Sequence, residues 1–410
     1  MKNSNPFLAL VFAITILPKE FIPITIKYAI SLPIIFLIYL SYFSIEINKS
    51  DKNKLFSLSI YIYVFGILLS SFISDYKLSS SIIYASLFIL RFTIIEYLCR
   101  KISLVKILDS AVIGSSAGFL FCILYDVNSR LIFKNLLTLK ISGIANSRLQ
   151  AFGSSPNFLG ISAGIICLYI LIRIINEQYE LNHHEDKDTL NSGYNNIFGY
   201  ILLFLNFLIL FLCNTRSAYL ALFIALIVQV INLITRKKFF QNKFNKFYIA
   251  FFGILLFDFK RMYMFINKFI ILLDDKYRGA STGLTGRINL WKENLNIIGP
   301  IGYGYRPGKI IDNNFIYSSY MAGIFFALPL YIYYLYFTLK NYFDLFNREL
   351  SFLQRNEKSI KVSLSIFIIT HLILDQQTIG QTSLISYIFV ILPVSNLKGK
   401  NQSSLFDKTL

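Results

Sequence analysis

Apolar runs long enough to cross a lipid bilayer recur along this chain, and they constrain its fold more than any other feature. A bilayer core requires roughly 20 consecutive apolar residues in a helix, and runs such as 55–74 and 156–176 meet that requirement. Their apolar residues are continuous rather than alternating, which excludes a membrane β-barrel. Only 15% of the residues are charged, whereas soluble domains carry about 25%. We therefore expect an all-α, polytopic membrane protein.

Hydropathy predicts about twelve membrane-spanning helices in one integral membrane domain, residues 1–410. The first and ninth are short, so the count is about ten to twelve. The first run lacks an Ala-x-Ala-like cleavage site, and we interpret it as a span or re-entrant segment rather than a removed signal peptide. The predicted spans cover residues 6–18, 22–43, 55–74, 79–98, 104–126, 156–176, 195–213, 217–235, 247–257, 314–339, 359–375 and 381–395.

Membrane topology explains the net charge of +18 better than nucleic-acid binding does. The chain shows no basic helix and no aromatic–basic motif of the kind that nucleic-acid-binding proteins use. Its cations are concentrated in alternate short loops, which the positive-inside rule assigns to the cytoplasm together with both termini. The basic loops carry Lys49, Lys52 and Lys54, then Arg100 and Lys101, then Arg236, Lys237, Lys238, Lys243 and Lys246, then Lys340, Arg348, Arg355 and Lys358.

The remaining loops then face the periplasm or the cell exterior. They include residues 127–155, the turn at 214–216 and the long segment 258–313, which precedes the tenth span. Unusually long loops are generally functional or disordered. Segment 258–313 is aromatic and glycine-rich, so we expect it to be ordered and functional.

Four arginines fall on this external side, against the usual charge bias. Arg216, in the stretch FLCNTRSAYLAL, occupies a turn of about three residues between two spans. Its guanidinium either snorkels to the lipid headgroups or binds an anion, for which its rigid pair of donors is suited. Asn214, Thr215 and Ser217 add hydrogen-bonding groups, and Ser217 lies near a helix N-terminus, which favours anions. The four external arginines are Arg148, Arg216, Arg287 and Arg306.

The other three external arginines belong to stretches rich in small residues. The stretch SRLQAFGSSPNFLG, residues 147–160, is typical of a loop followed by the start of a helix, since proline suits the first turn of a helix. This interpretation does not explain Arg148. Segment 258–313 contains a predicted helix, INLWKENLNII, with the only tryptophan, Trp291, followed by the turn GPIGYGYRPG. This turn is not a nucleotide-binding phosphate loop, because it lacks Gly-Lys-Ser/Thr and a preceding strand.

Two further groups of polar residues lie at predicted span ends. Asp312, Asn313 and Asn314 either cap the tenth span or supply Asp312 as a general base or an acceptor-orienting carboxylate. His371 and Asp375, one turn apart, are either a proton relay or a packing or acceptor-binding pair. The four cysteines lie in or beside apolar runs without a C-x-x-C motif, which indicates small core residues rather than a metal or disulfide site.

Three of these stretches resemble the O-antigen ligase and polymerase superfamily of bacterial inner-membrane glycosyltransferases. SRLQAFGSSPNFLG is similar to the family's arginine, small-residue turn and Pro-Asn helix start. NTRSAYLAL is similar to its "T-x-SR-S/G-A" element at the start of a long span. TGRINLWKENLNIIGPIGYGYRPG and DNNFIYSSYMAGIF are similar to its large periplasmic loop and the Asn-led span that follows. The likeness covers roughly residues 145–330, in the expected order.

The resemblance implies a donor, a glycan on undecaprenyl pyrophosphate presented at the periplasmic leaflet of the inner membrane. It also implies a metal-independent and cofactor-independent transfer to a glycan or lipid acceptor, in which fixed arginines stabilise the departing pyrophosphate. The pyrophosphate would be held by Arg216 and Arg287, assisted by Arg148 and Arg306, with Asp312 as the catalytic carboxylate. Residues implied for the acceptor and the loop are Trp291, Asn313, Asn314 and His371.

One departure from the family bears on the acceptor. The family's ligases typically carry a His-Asn pair where this chain has Asn313-Asn314, and that histidine is thought to activate or orient the acceptor. Its absence favours polymerisation of repeat units, or transfer to another acceptor, over ligation to lipid A core. A flippase of lipid-linked oligosaccharides is the alternative function. It predicts charges along a central cavity and two related halves, whereas this chain has cations on one face and no internal repeat.

Overall fold

The structure is a computed structural model that describes residues 5–17, 54–74, 78–125, 156–181, 194, 196–213, 215–234, 287–306, 313–347, 350, 352–374 and 383–395. Within these ranges the chain forms helices joined by turns, without a strand, which confirms the all-α prediction. The helices are α1 (Pro6–Ile16), α2 (Lys54–Ile73), α3 (Leu78–Lys101), α4 (Leu104–Tyr125), α5 (Pro156–Leu181), α6 (Ile197–Cys213), α7 (Arg216–Ile234), α8 (Arg287–Asn296), α9 (Asn314–Ala322), α10 (Ile324–Asp344), α11 (Phe352–Leu374) and α12 (Leu384–Val394).

The helix bounds follow the apolar runs closely. Ten of the twelve predicted spans correspond to described helices, while 22–43 and 247–257 lie outside the described residues. Helix α11 begins at Phe352 instead of residue 359, because its first turns are polar and hydropathy assigns such turns to a loop. The helix predicted from INLWKENLNII is confirmed as α8. The four cysteines are buried, as predicted for small core residues.

The apolar helices make this a membrane protein. Helices α2, α3, α4 and α5 contain stretches long and apolar enough to cross a bilayer, and α1, α6, α7 and α12 contain shorter apolar stretches. Large apolar side chains cover the outer surface, such as Phe72, Phe204 and Phe325, which are 69–70% exposed. Soluble proteins rarely expose apolar surface on this scale. The count of about twelve spans and the periplasmic loop stay predictions.

The predicted tenth span, 314–339, is two helices rather than one. Helix α9 ends at Ala322 and α10 begins at Ile324, with Gly323 between them at φ +89°. This left-handed conformation favours glycine, and the backbone of Pro300 also leaves no room for a side chain there. Hydropathy misses the break because the residues on both sides of it are apolar.

Helices α1 and α4 run parallel and touch through two glycines. A side chain on Gly114 would overlap the carbonyl oxygen of Ala9, and a Cβ on Gly118 would lie 2.9 Å from that of Ala13. Small residues four positions apart let helix backbones approach closely in a membrane, where van der Waals packing rather than hydrophobic burial holds helices together. The pair Gly114 and Gly118 therefore anchors α1 in the bundle.

Helices α7 and α11 pack antiparallel through buried polar groups. Ser359 and Ser363 of α11 donate to Gln229 Oε1 at 2.7 and 3.3 Å, in the second half of α7. Ala218, nearer the start of α7, and Phe367 of α11 both lie beside Gly164 of α5. The start of α7 and the end of α11 therefore lie at the same end of the bundle.

Candidate functional site

The turn before Arg216 is confirmed as a short link between two apolar helices. Helix α6 ends at Cys213 and α7 begins at Arg216. Thr215 is 1% exposed, and its carbonyl oxygen accepts the amide of Tyr219 at 3.1 Å, which starts the hydrogen-bonding of α7. Ser217, the next residue, is also buried. Arg216 is thus placed in the first turn of a helix whose neighbouring side chains face the protein interior.

This turn packs directly on the first turns of α5. A Cβ on Gly160 would overlap the side chain of Thr215 and lie 3.0 Å from the Cβ of Cys213. One turn further along α5, a Cβ on Gly164 would lie 3.4 Å from Ala218. The structure therefore brings two of the three motif stretches, 147–160 and 214–222, into contact at their helical ends.

The end of α11 connects this contact to the third motif stretch. The side-chain amide nitrogen of Asn313, just before α9, donates to the carbonyl oxygen of Ile373 in the last turn of α11, at 2.8 Å. Helix α11 also packs on α5 and α7. We call the resulting region the motif end. It comprises the starts of α5 and α7, the end of α11, helix α9, and segment 299–306 with the end of α2, both of which contact the last turn of α9.

The two asparagines of the DNNF sequence have structural partners. Asn313 is the N-cap of α9, since its side-chain oxygen accepts the amide of Ile316 at 3.0 Å. Asn314 is fully buried, and its side-chain oxygen accepts hydroxyl hydrogen bonds from Tyr331 at 2.8 Å and Ser318 at 3.2 Å. The capping interpretation is thus confirmed for Asn313, and Asn314 ties α9 to α10 across the break at Gly323.

Segment 299–306, which contains the GPIGYGYR sequence, is ordered against α9. The amide of Tyr303 donates to the carbonyl oxygen of Tyr320 at 2.8 Å, and that of Gly304 to the carbonyl oxygen of Met321 at 2.9 Å. Gly304 has φ +76°, a left-handed value that explains the glycine there. The segment is therefore held by hydrogen bonds to a helix of the bundle.

Serines from two apolar helices hold the other side of this segment. The amide of Gly302 donates to Ser70 Oγ at 2.9 Å, and that of Tyr305 donates to Ser81 Oγ at 2.9 Å. The hydroxyls of Ser71 and Ser81 are hydrogen-bonded to each other. We call this group the serine cradle; its members are Ser70, Ser71 and Ser74 at the end of α2 and Ser81 in the first turn of α3.

Stacked tyrosines complete the anchoring and reach Arg306. The ring of Tyr305 lies 4.4 Å from that of Tyr84, nearly parallel to it, and the ring of Tyr303 is stacked 4.9 Å from that of Tyr320. The guanidinium carbon of Arg306 lies 5.3 Å from the centre of the Tyr303 ring. This is the distance of a cation–π contact, so Arg306 is fixed to the anchored segment.

The remaining predicted site residues are distributed as follows. Trp291 is half-buried on α8, which packs beside α9, and Arg287 is the first residue of α8. His371 is fully buried in α11, two residues before the carbonyl that binds Asn313. Arg148, Asp312 and Asp375 lie outside the described residues, as do the side chains of Arg216 and Arg287.

The end of the bundle opposite the motif end contains buried ionic groups. Asp109 of α4 accepts the hydroxyls of Tyr169 at 2.6 Å and Tyr194 at 3.1 Å, and Arg173 binds Glu177 at 2.9 Å. Burial and the neighbouring Asp109 carboxylate raise the pKa of Tyr194, so this hydroxyl stays a neutral donor. The cluster stabilises the contact between α4 and α5 and lies apart from the motif end.

Sequence reasoning missed the serine cradle and the glycines of α5. Serines in apolar spans carry little hydropathy signal, so the sequence predicts no role for the cluster SSFISDYKLSSS, residues 70–81. Gly160 and Gly164 are four residues apart, the spacing of a close helix contact in membranes, and this spacing was the available signal. Among the described residues, no group of three or more His, Cys, Asp or Glu side chains could hold a metal ion.

Comparison with known proteins assigns no family. No protein-family model matches the sequence, and no curated protein matches it significantly. A functional conclusion therefore depends on the residues of the chain and on their arrangement.

Proposed function

We propose that this protein is a metal-independent glycosyltransferase of the bacterial inner membrane. It moves a glycan from undecaprenyl pyrophosphate to a sugar hydroxyl at the periplasmic face and polymerises repeat units of a surface polysaccharide. The observation that carries this proposal is the meeting of three stretches, far apart in the sequence, at the motif end. Each of these stretches contains an arginine in or beside its loop.

The three stretches contain the residue types that this reaction requires. The acceptor hydroxyl oxygen attacks the anomeric carbon, and the bond from that carbon to the pyrophosphate oxygen breaks. The pyrophosphate leaves with the electron pair, and the hydroxyl proton passes to a base, for which Asp312 is our candidate. Fixed guanidinium groups stabilise the charge that develops on the leaving group, and they do so without a metal. Arg216 and Arg287 hold this group, assisted by Arg148 and Arg306.

The orientation of the bundle supports a periplasmic site. The loops rich in Lys and Arg join the helix ends opposite the motif end, and such loops lie in the cytoplasm. A lipid-linked pyrophosphate on the outer leaflet would therefore approach the motif end directly. Exposed apolar side chains around the bundle offer a lipid surface along which the undecaprenyl chain can lie.

The partners of Asn313 favour polymerisation over ligation. An asparagine amide cannot take a proton at neutral pH, and this side chain is committed to Ile316 and Ile373. It does not replace a histidine that activates an acceptor. A polymerase whose acceptor is the end of a growing glycan chain, with the neighbouring Asp312 as base, is consistent with this arrangement.

The test is glycan lengthening by the purified full-length protein reconstituted with lipid-linked repeat units. Arg216→Ala should abolish lengthening while the protein level stays normal, because the leaving-group charge loses a fixed cation. Losing one such preorganised group typically lowers the rate by about 100-fold or more. The matched control is Arg355→Ala, an arginine near the opposite end whose side chain donates to the carbonyl oxygen of Asn347.

Full lengthening by Arg216→Ala would refute the proposed role of this arginine. Flipping of the lipid-linked repeat without any lengthening by the wild-type protein would refute the transferase and favour the flippase. Long lipid-linked chains that accumulate in a deletion strain, without transfer to lipid A core, would identify a ligase instead of a polymerase.

A further inference from the structure

The serine cradle fixes the backbone immediately before Arg306. Ser74 Oγ donates to the carbonyl oxygen of Tyr303 at 3.0 Å, while Ser81 Oγ accepts the amide of Tyr305 at 2.9 Å. Gly304, between these two residues, has no space for a side chain beside Ser71. Three consecutive residues are thus held by α2 and α3, and the position of the next residue, Arg306, follows from them.

The side chain of Arg306 is held as well, by the ring of Tyr303. Its guanidinium lies over the ring of Tyr303, which is itself stacked on Tyr320. A cation over an aromatic face is attracted to that ring and keeps its charge. A guanidinium is also the cation best suited to bind two oxygens of a phosphate through paired N–H donors.

We infer that the serine cradle and Tyr303 are positioning groups for Arg306. Helices α2 and α3 therefore belong to the anion-binding site, because their serines set the position of this arginine. An arginine on a free loop would lose side-chain and backbone freedom on binding, and anchoring it beforehand removes much of that loss. The identity of the anion as a lipid-linked pyrophosphate rests on the proposed function. The positioning itself rests on the contacts of residues 302–306.

The first test measures whether the cradle fixes position 306, independently of activity. Arg306→Cys in the full-length protein creates a target for a water-soluble maleimide, and the four native cysteines are buried. Ser74→Ala and Ser81→Ala should each raise the labelling rate about fivefold, since a buried hydrogen bond shifts local opening by roughly that factor. Ser74→Thr, which keeps the hydroxyl, should restore the slow rate.

The matched control lies on the same helix. Ser59 of α2 is also buried, but its hydroxyl donates to the carbonyl oxygen of Phe56 in its own helix at 2.7 Å. Ser59→Ala should leave the labelling rate unchanged. If both cradle variants label at the wild-type rate, or if Ser59→Ala accelerates labelling equally, the cradle does not fix residue 306 and the inference is overturned.

The second test asks whether the anchoring acts through Arg306 in the reaction. With the reconstituted lengthening assay, Tyr303→Phe should retain kcat/KM because the ring remains, whereas Tyr303→Leu should lower it roughly tenfold. In an Arg306→Ala background, Tyr303→Leu and Ser74→Ala should cause no further loss. If Tyr303→Leu and Ser74→Ala lower kcat/KM in the Arg306→Ala background as much as they do in the wild type, the ring and the serine do not act through Arg306. That result would overturn the positioning role.

The two tests separate this inference from the proposed function. If the wild-type protein lengthens no glycan, the proposed function fails, and the labelling rates then decide the positioning by themselves. If lengthening occurs and Arg306→Ala reduces it while the labelling rates do not respond to the cradle, the proposed function stands and the positioning inference fails.

Discussion

The contact between Gly160 and the turn before Arg216 gives the sharpest test of the motif end. In the variant Gly160→Ala, the added Cβ would lie 2.7 Å from the Cβ of Thr215 and 3.0 Å from that of Cys213. Ordinary van der Waals contact begins at 3.4 Å. The new methyl group would also overlap the hydroxyl oxygen of Thr215, which must rotate aside. The turn or the start of α5 must then move by about 0.7 Å, the difference between 3.4 and 2.7 Å.

The stability effect of this change is the difference of two terms. Replacing glycine by alanine inside a helix stabilises it by up to about 1 kcal/mol. Overpacking a tight contact costs about 1–3 kcal/mol. We expect Gly160→Ala to be destabilised by about 0–2 kcal/mol, which most variants of a folded protein survive. The effect on activity should be larger, because catalytic groups lose efficiency steeply when displaced by part of an ångström.

The assay compares Gly160→Ala with Gly164→Ala, four residues further along the same face of α5. A Cβ on Gly164 would lie 3.2 Å from Phe367 and 3.4 Å from Ala218, so only a small adjustment of one ring is required. Thermal unfolding in detergent should show Gly164→Ala at or above the wild-type stability. Glycan lengthening should persist in Gly164→Ala and fall at least tenfold in Gly160→Ala.

A second substitution, made in the Gly160→Ala variant, tests whether the contact with Thr215 causes the loss. Thr215→Gly removes the side chain that the new methyl group meets, so it should restore part of the activity of Gly160→Ala. If Gly160→Ala and Gly164→Ala show equal activity and equal unfolding temperatures, the turn does not pack on Gly160. In that case α5 does not set the position of Arg216.

Two further predictions concern stability. Tyr331→Phe removes a hydroxyl that binds Asn314 at 2.8 Å and should lower the free energy of unfolding by about 1–3 kcal/mol; Tyr336→Phe, at an exposed position, is the control, and equal unfolding midpoints would contradict the prediction. Gly114→Leu should separate α1 from α4 and lower the unfolding temperature by several degrees, because its side chain would enter the backbone of α1. Ala117→Leu, at an exposed position of α4, should leave the unfolding temperature unchanged, and similar values for the two variants would show that α1 is not anchored there.

The helices were predictable because the membrane imposes a simple rule on the backbone. Amide and carbonyl groups in lipid must be satisfied within the segment itself, so a long apolar run becomes a helix. Predicted spans such as 104–126 and 195–213 accordingly coincide with α4 and α6 to within a few residues. The break at Gly323 escaped this rule, because it depends on the amide of Ile324 finding the carbonyl oxygen of Gly299 from a distant part of the chain.

The site was predictable in part. The turn at Arg216 and the cap at Asn313 follow from local chemistry, that is, from a polar interruption between apolar runs and from the preference of asparagine for helix starts. The serine cradle does not follow from local chemistry. In the sequence, Ser70 and Ser81 look like any serines in an apolar helix. Their role becomes visible only in the fold, where they accept the backbone amides of Gly302 and Tyr305. These amides belong to a distant segment and require a hydrogen-bond acceptor.

The sequence alone therefore determined that this chain is a helical membrane protein and where most of its helices begin and end. It also singled out four arginines in loops that the positive-inside rule predicts to be external, because an arginine is unusual in such a loop. Only the tertiary structure decided that α2 and α3 hold the segment before Arg306, and that α5 carries the turn before Arg216. Contacts between helices depend on shape and on pairing of backbone groups across hundreds of residues, and no local pattern of residue types encodes them.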